Sequence, residues 1–159
     1  MKHPYLHAIY CDDIRLELGS KQSLMGVYTG ELLVPRFPAT MAKLCAIIEM
    51  HLPSETTVES FKIECYLEDK VLARTEMDVA DLHAMQNDPV NLPKKKEWMM
   101  MAVSFIFSPL IVEGNTKIRA SAFVNGEEYK AASLMIREQT LDEKKNHRLP
   151  FEISAPPLL

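Results

Sequence analysis

The sequence has no surplus of positive charge. Its formal net charge is −4, so nothing electrostatic favours a nucleic-acid partner, whose binders carry a basic field. Cysteine is scarce: Cys11, Cys45 and Cys65 are the 3 present, too few and too scattered for a disulfide framework. Each lies in an apolar segment, which suits a small reduced core residue. A single bridge between Cys45 and Cys65 stays open if they occupy neighbouring strands. Glycine is scarce too, at 5 residues, and none forms a loop running into a helix that would cradle phosphate. Gly19-Ser20-Lys21 leads into a strand pattern and reads as a hairpin turn. The longest apolar run, Trp98 to Phe107, is about half of what a bilayer-spanning helix needs. Met1-Lys2-His3-Pro4 enters a strand-like pattern rather than a signal peptide. A soluble, cytoplasmic protein without a membrane segment is the expectation.

Catalytic and metal motifs are also missing. No Gly-x-Ser-x-Gly, Cys-x-x-Cys or His-Glu-x-x-His occurs, and the cysteines have no local catalytic signature. His3 and His7 are four apart, a helical chelate spacing. On a strand that separation is roughly 13 Å, too far for one ion. The expectation is therefore no enzyme, no cofactor and no metal.

What is present is β pattern. At 159 residues, 47% hydrophobic and 25% charged, the chain can build one domain with an ordinary core. Thr116 to Arg137 reads as two strands reversing at Asn125-Gly126, the strongest short-range hairpin signal. A two-residue turn, Val124 opposite Glu127, would set Ile118 against Ser133. A three-residue loop, Phe123 opposite Glu127, puts Ile118, Ala120 and Ala122 on one face with Ala132, Leu134 and Ile136. A one-residue slip inverts every side chain, so consistent faces predict the three-residue loop, with Gly126 left-handed in a G1 bulge. The polar face, including Lys117, Arg119, Ser121 and Tyr129, then reads as ordinary solvated surface.

Elsewhere, Tyr5 to Leu18 is a long strand or two joined at Asp12-Asp13, with Ile14, Leu16 and Leu18 alternating as a half-buried strand would. Leu24 to Tyr28 returns, and Glu31 to Val34 extends the sheet. Leu44 to Leu52 is apolar on both faces and belongs in the centre. Phe61, Ile63, Cys65 and Leu67 face inward, and Val71 to Met77 completes a second hairpin. Asp78 is a candidate N-cap for a short helix, Val79 to Gln86. These elements predict an all-β chain with one short helix, an antiparallel β-sandwich of immunoglobulin- or C2-like Greek-key type. Residues 1–138 form that single domain, and 139–159 a charged, proline-containing tail, flexible or pinned by Leu149, Phe151 and Ile153.

Several residues invite a functional reading beside a plainer one. C2-type sandwiches gather aspartates for calcium; Asp12, Asp13, Asp69 and Asp78 are the candidates, with only Asp12-Asp13 adjacent. A polar bend is the preferred account, in which Arg15 or a backbone amide satisfies a carboxylate. Lys94-Lys95-Lys96 beside Trp98 is the minimal form of a stacking site for nucleic acid, and Lys144, Lys145, His147 and Arg148 form a second cluster. Against both stands the acidic total, so neither predicts such a partner. Trp98 to Phe107 is apolar on both faces. The second face, Trp98, Met100, Ala102 and Ile106, reads first as covered core and second as a partner surface. On the second reading Trp98, Met100, Ile106, Lys95 and Phe151 are the partner-binding candidates.

The stretch Cys11-Asp12-Asp13-Ile14-Arg15, then Gly19-x-Lys21, Ser23-Leu24-Met25-Gly26-Val27-Tyr28, Pro35-x-Phe37-Pro38 and Lys43-Leu44-Cys45, resembles an uncharacterised family of small bacterial and phage-borne proteins. These share a Cys-Asp-Asp-Ile-Arg start and a Ser-Leu-Ile-Gly-Val-Tyr return strand. The match covers about the first third, with Met25 in place of isoleucine. The resemblance implies a cytoplasmic β-sandwich and transfers no activity, cofactor or catalytic residue.

The expected function is thus a non-catalytic module that binds another protein, with a homodimer also allowed by the apolar second face. Two alternatives are carried. One is a phage-encoded inhibitor or accessory factor directed at a host defence system; the other is an ion-dependent or enzymatic module using Asp12 and Asp13.

Overall fold

A computed structural model describes residues 3–19, 21–78, 80–82, 84 and 97–145. Twelve strands run in order: β1 (Tyr5–Glu17), β2 (Lys21–Val27), β3 (Glu31–Val34), β4 (Ala39–Met41), β5 (Leu44–Pro53), β6 (Phe61–Leu67), β7 (Lys70–Met77), β8 (Trp98–Phe107), β9 (Leu110–Val112), β10 (Thr116–Val124), β11 (Glu127–Lys130) and β12 (Leu134–Glu138). The first sheet has the order β2-β1-β5-β8, and the second β3-β12-β10-β6-β7 with β11 also on β10; β4 and β9 make a small ribbon. One core joins the two sheets. Leu6, Tyr10, Leu44, Ile48, Met50 and Leu52 of the first are buried with Phe61, Ile63, Cys65, Ile118, Leu134 and Ile136 of the second. The all-β sandwich is therefore as expected. The pairing is antiparallel except where β3 joins β12 in parallel, a departure from the purely antiparallel expectation.

Central placement of β5 follows from its composition. One face, Leu44, Ala46, Ile48, Met50 and Leu52, is fully buried; on the other Cys45 and Ile47 are buried while Glu49 and His51 stay partly exposed, and β1 and β8 flank the strand.

The hairpin turn differs from expectation. Val124 faces Glu127, so Asn125-Gly126 is a two-residue loop, with φ of 51° and 82°. Positive φ at both positions is what a type I′ turn requires. The faces are reconciled further along. Ala131 donates its amide to the Ala120 carbonyl at 3.1 Å, whereas Ile118 lies opposite Leu134. Between those points β10 moves two residues and the returning chain moves three. The extra residue sits at Ala131–Ser133, between β11 and β12, and not at Gly126. There the Tyr10 hydroxyl of the first sheet donates to the Ala132 carbonyl at 3.3 Å, giving a buried phenol a partner across the sandwich.

The end of β1 and the turn after it also depart from the half-buried expectation: Leu16 is 82% and Leu18 95% exposed. From Ile14 to Glu17 the pairing is to β2, beyond the last β1–β5 pair, Cys11 with Cys45. Ile14 still packs on Cys11, Cys45 and Ile47, but beyond it no described layer covers the two-stranded ribbon, which cannot then bury alternate residues. The Cys45–Cys65 pairing is excluded as well. Cys45 lies in the first sheet opposite Cys11, Cys65 lies in the second, and all three are free thiols.

The Asp78 carboxylate accepts the Asp81 amide at 2.8 Å, and residues 80–82 and 84 are helical. The rest of the Val79–Gln86 helix, and Leu149, Phe151 and Ile153, lie outside the described residues. A second short helix, Leu141–Lys145, follows Thr140. The Glu143 amide donates to Thr140 Oγ1 at 3.3 Å, and Glu143 accepts the Thr140 amide at 2.8 Å. This reciprocal pair is a capping box. Arg137 holds it to the sheet through Glu143 at 2.7 Å and Glu31 at 2.8 Å.

Candidate functional site

Alternation along β1, β5 and β8 builds the outer face of the first sheet rung by rung. Register places Tyr5, His51 and Met100 on one rung and His7, Glu49 and Ala102 on the next. Ile9, Ile47 and Ser104 follow, then Cys11, Cys45 and Ile106. Pro53 and Trp98 pair beyond the first.

One end of this face is aromatic and ionisable. The Tyr5 ring stacks on His51 at 4.5 Å and 6°, and meets Trp98 edge-on at 5.7 Å. Such contacts each add a modest increment beyond buried area. Both imidazoles approach one carboxylate oxygen: His7 Nδ1 is 3.6 Å and His51 Nε2 3.5 Å from Glu49 Oε2. The other end is apolar, with Cys11, Cys45 and Ile47 buried beneath Ile9, Ile14 and Leu24. Burial pushes the Cys11 and Cys45 thiols up, which disfavours the reactive thiolate.

Met100 is 54% and Ile106 59% exposed on this face, so the first reading, covered core, fails at both. Among the described strands β8 lies at the edge of its sheet, and no described layer lies above them. Trp98 is half-buried, in contact with Tyr5. The structure thus brings Trp98, Met100 and Ile106 to one face. Lys95 and Phe151, the other two partner-binding candidates, lie outside the described residues. Tyr5, His7, Glu49 and His51 were not anticipated as a group. The signal was available in the i, i+2 pairs Tyr5/His7 and Glu49/His51, but it becomes a cluster only once β1 and β5 are paired in register.

The aspartate candidates are scattered and already engaged. Asp12 accepts the Tyr28 hydroxyl, and Gly26 leaves room for it, since a Cβ there would fall on the Asp12 carboxylate. Asp13 accepts Lys43 Nζ at 2.8 Å and the Ile14 amide at 3.0 Å. The Lys43 ammonium, foremost, holds the Asp13 carboxyl below its ordinary range. The expected backbone partner is found, and the cation is Lys43 rather than Arg15. Asp69 pairs with Arg119, and Asp78 caps its helical turn. Among the described residues, no three His, Cys, Asp or Glu side chains converge as a metal site.

Two concavities lie on the second sheet. The smaller, about 120 Å³, is bordered by Lys117, Arg119, Ser121 and Lys130. Three of the four already have partners outside it: Arg119 bonds Asp69 and the Glu68 carbonyl, Ser121 bonds Glu128, and Lys130 lies 3.4 Å from Glu128. The larger, about 320 Å³, lies between Phe61, Met77 and Phe123. Neither adjoins the outer face of the first sheet. Among the described residues no helix is long and apolar enough to cross a membrane.

Comparison with protein-family models finds no match to the chain, and comparison with curated proteins finds none either.

Proposed function

We propose that the protein is a non-catalytic, cytoplasmic protein-binding module of bacterial or phage origin, acting through the outer face of its first sheet. The observation that supports this is the exposure of Met100 and Ile106 on a ten-residue strand without a charged side chain. Apolar surface of this kind favours association because a partner removes it from water. Methionine adapts to a partner's shape through its three rotatable bonds. The half-buried Trp98 and the Tyr5 ring add aromatic area at the same end, where interface energy tends to concentrate. Glu49 and the two imidazoles supply hydrogen-bonding capacity that fixes orientation more than strength.

The test is affinity capture from a bacterial lysate with the full chain, using wild type, a Met100→Glu/Ile106→Glu variant and Lys117→Gln on the opposite sheet as control. Proteins retained by wild type and the control but lost by the double variant are the expected result. An identical set on all three columns overturns the assignment of this face.

A further inference from the structure

We infer that β8 is a self-pairing edge: two copies of the chain join β8 to β8 antiparallel, centred on Val103, to make one continuous eight-stranded sheet. This rests on the reading of β8 as a binding strand and names its partner.

Among the described strands, β8 has β5 as its one neighbour, so one side of its backbone has no strand partner. Natural sheet edges are normally blunted by charge, proline, a bulge or shortness. The other edges follow that rule: β2 opens on Lys21, β7 carries Lys70, Arg74 and Glu76, and β3 has 4 residues. β8 follows none of it. Its 10 residues include no charge, proline or glycine, and its pairing with β5 runs without a register shift from Phe107 to Trp98.

The core is open along the same strand. Met101 is buried, but Met99, Val103, Phe105 and Phe107 are only partly so, whereas their β5 partners Leu52, Ile48, Ala46 and Leu44 are fully buried. A further strand would cover them.

A second copy fits by symmetry and by charge. A two-fold axis makes the contact isologous, and an uncharged strand meets itself without like-charge repulsion. Registers that set an outer-face residue opposite an inner-face one would turn the core side of one sheet outward. Centring on Val103 avoids this. It places Ala102 opposite Ser104 of the second copy, and Met100 opposite its Ile106, so the two exposed large apolar side chains of the strand cover each other.

Size sets the strength. Ten residues a side fall short of the roughly 20–30 a side of a stable interface, so the dimer is concentration-dependent.

The test is sedimentation equilibrium on the full chain over a wide concentration series. It compares wild type with Ala102→Lys/Ser104→Lys and Ala102→Lys/Ser104→Glu. Both positions are exposed, and a thermal melt checks that each variant folds. In the inferred register the first pair sets lysine against lysine, and the second sets lysine against glutamate. Wild type should dimerise as concentration rises, the Lys/Lys variant at least tenfold more weakly, and the Lys/Glu variant within a few-fold of wild type. A wild type that stays monomeric, or two variants that dimerise alike, overturns the inference. A monomeric chain that still captures a different protein through Met100 and Ile106 overturns self-pairing and leaves the binding face standing. A dimer that captures nothing else supports self-pairing and overturns the foreign partner.

Discussion

The side-chain oxygen of Asn125 accepts the Glu59 backbone amide at 2.8 Å, tying the hairpin turn to the loop before β6. The same oxygen takes the Ser60 amide at 3.2 Å, and Asn125 Nδ2 donates to the Thr57 carbonyl at 2.8 Å. Asn125 thus does two jobs. It tolerates positive φ in the turn, and it satisfies backbone groups of a loop that makes few ladder bonds of its own.

Asn125→Gly keeps the backbone freedom and removes all three side-chain bonds. At a net worth of about 0.5–1.5 kcal/mol each, and with the site exposed, the expected loss is about 1–3 kcal/mol. Asn125→Asp retains the acceptor but not the donor to Thr57, so it should lie between glycine and wild type. Urea unfolding measures both. A glycine variant as stable as wild type would show that the loop stands without this tie.

Gly26 has φ of 64° and faces the Asp12 carboxylate. Gly26→Ala therefore meets two penalties, the left-handed backbone at about 1–2 kcal/mol and displacement of Asp12 from Tyr28. The second vanishes when Asp12 is already alanine. A double-mutant cycle should show Gly26→Ala costing more in wild type than in Asp12→Ala, a coupling expected of side chains in contact. Equal costs in the two backgrounds would mean that Asp12 moves aside freely.

Arg137 and the Thr140 amide hold the Glu143 carboxyl at about 2, and Arg137 also lowers that of Glu31. A carboxyl depressed in the folded state binds its proton more weakly there than in the unfolded chain. Its stabilisation is therefore complete above the ordinary glutamate range near 4.5 and is lost as pH falls through about 2. Melting temperatures of wild type and Glu143→Gln should differ at pH 5 and converge towards pH 2. A gap that stays constant over this range would place the effect of Glu143 in its neutral hydrogen bonds.

Period-2 patterning was enough to place β5 in the centre, to bound β8 at Trp98 and Phe107, and to orient Ile118, Ala120 and Ala122 inward. These depend on alternation within a single strand. Location of the extra residue in the hairpin did not follow, because local turn preference and face matching conflict between Val124 and Leu134. The conflict is resolved by contacts from elsewhere: Asn125 is held by the Glu59–Ser60 loop, and the Ala132 carbonyl by Tyr10. Exposure of Leu16 and Leu18 was hidden for a related reason. Alternation reports which side chains share a face, not whether another layer lies over it. The Tyr5, His51 and Trp98 cluster spans three strands and exists only through their register. The Thr140-x-x-Glu143 capping box, in contrast, is a local pattern, masked by the surrounding charge, which reads as a tail.

β1 is a single strand divided between two environments. Up to Cys11 it pairs with β5 of the sandwich; from Ile14 onward β2 is its one described strand partner. Asp12 and Asp13, each held by a different partner, mark the boundary. The consequence is a step in how much change the chain tolerates along one continuous strand. Substitutions at Leu6 or Tyr10 disturb the whole domain, while those at Leu16 or Leu18 meet mainly solvent. The ribbon is thus free to vary its surface chemistry without endangering the fold that carries it.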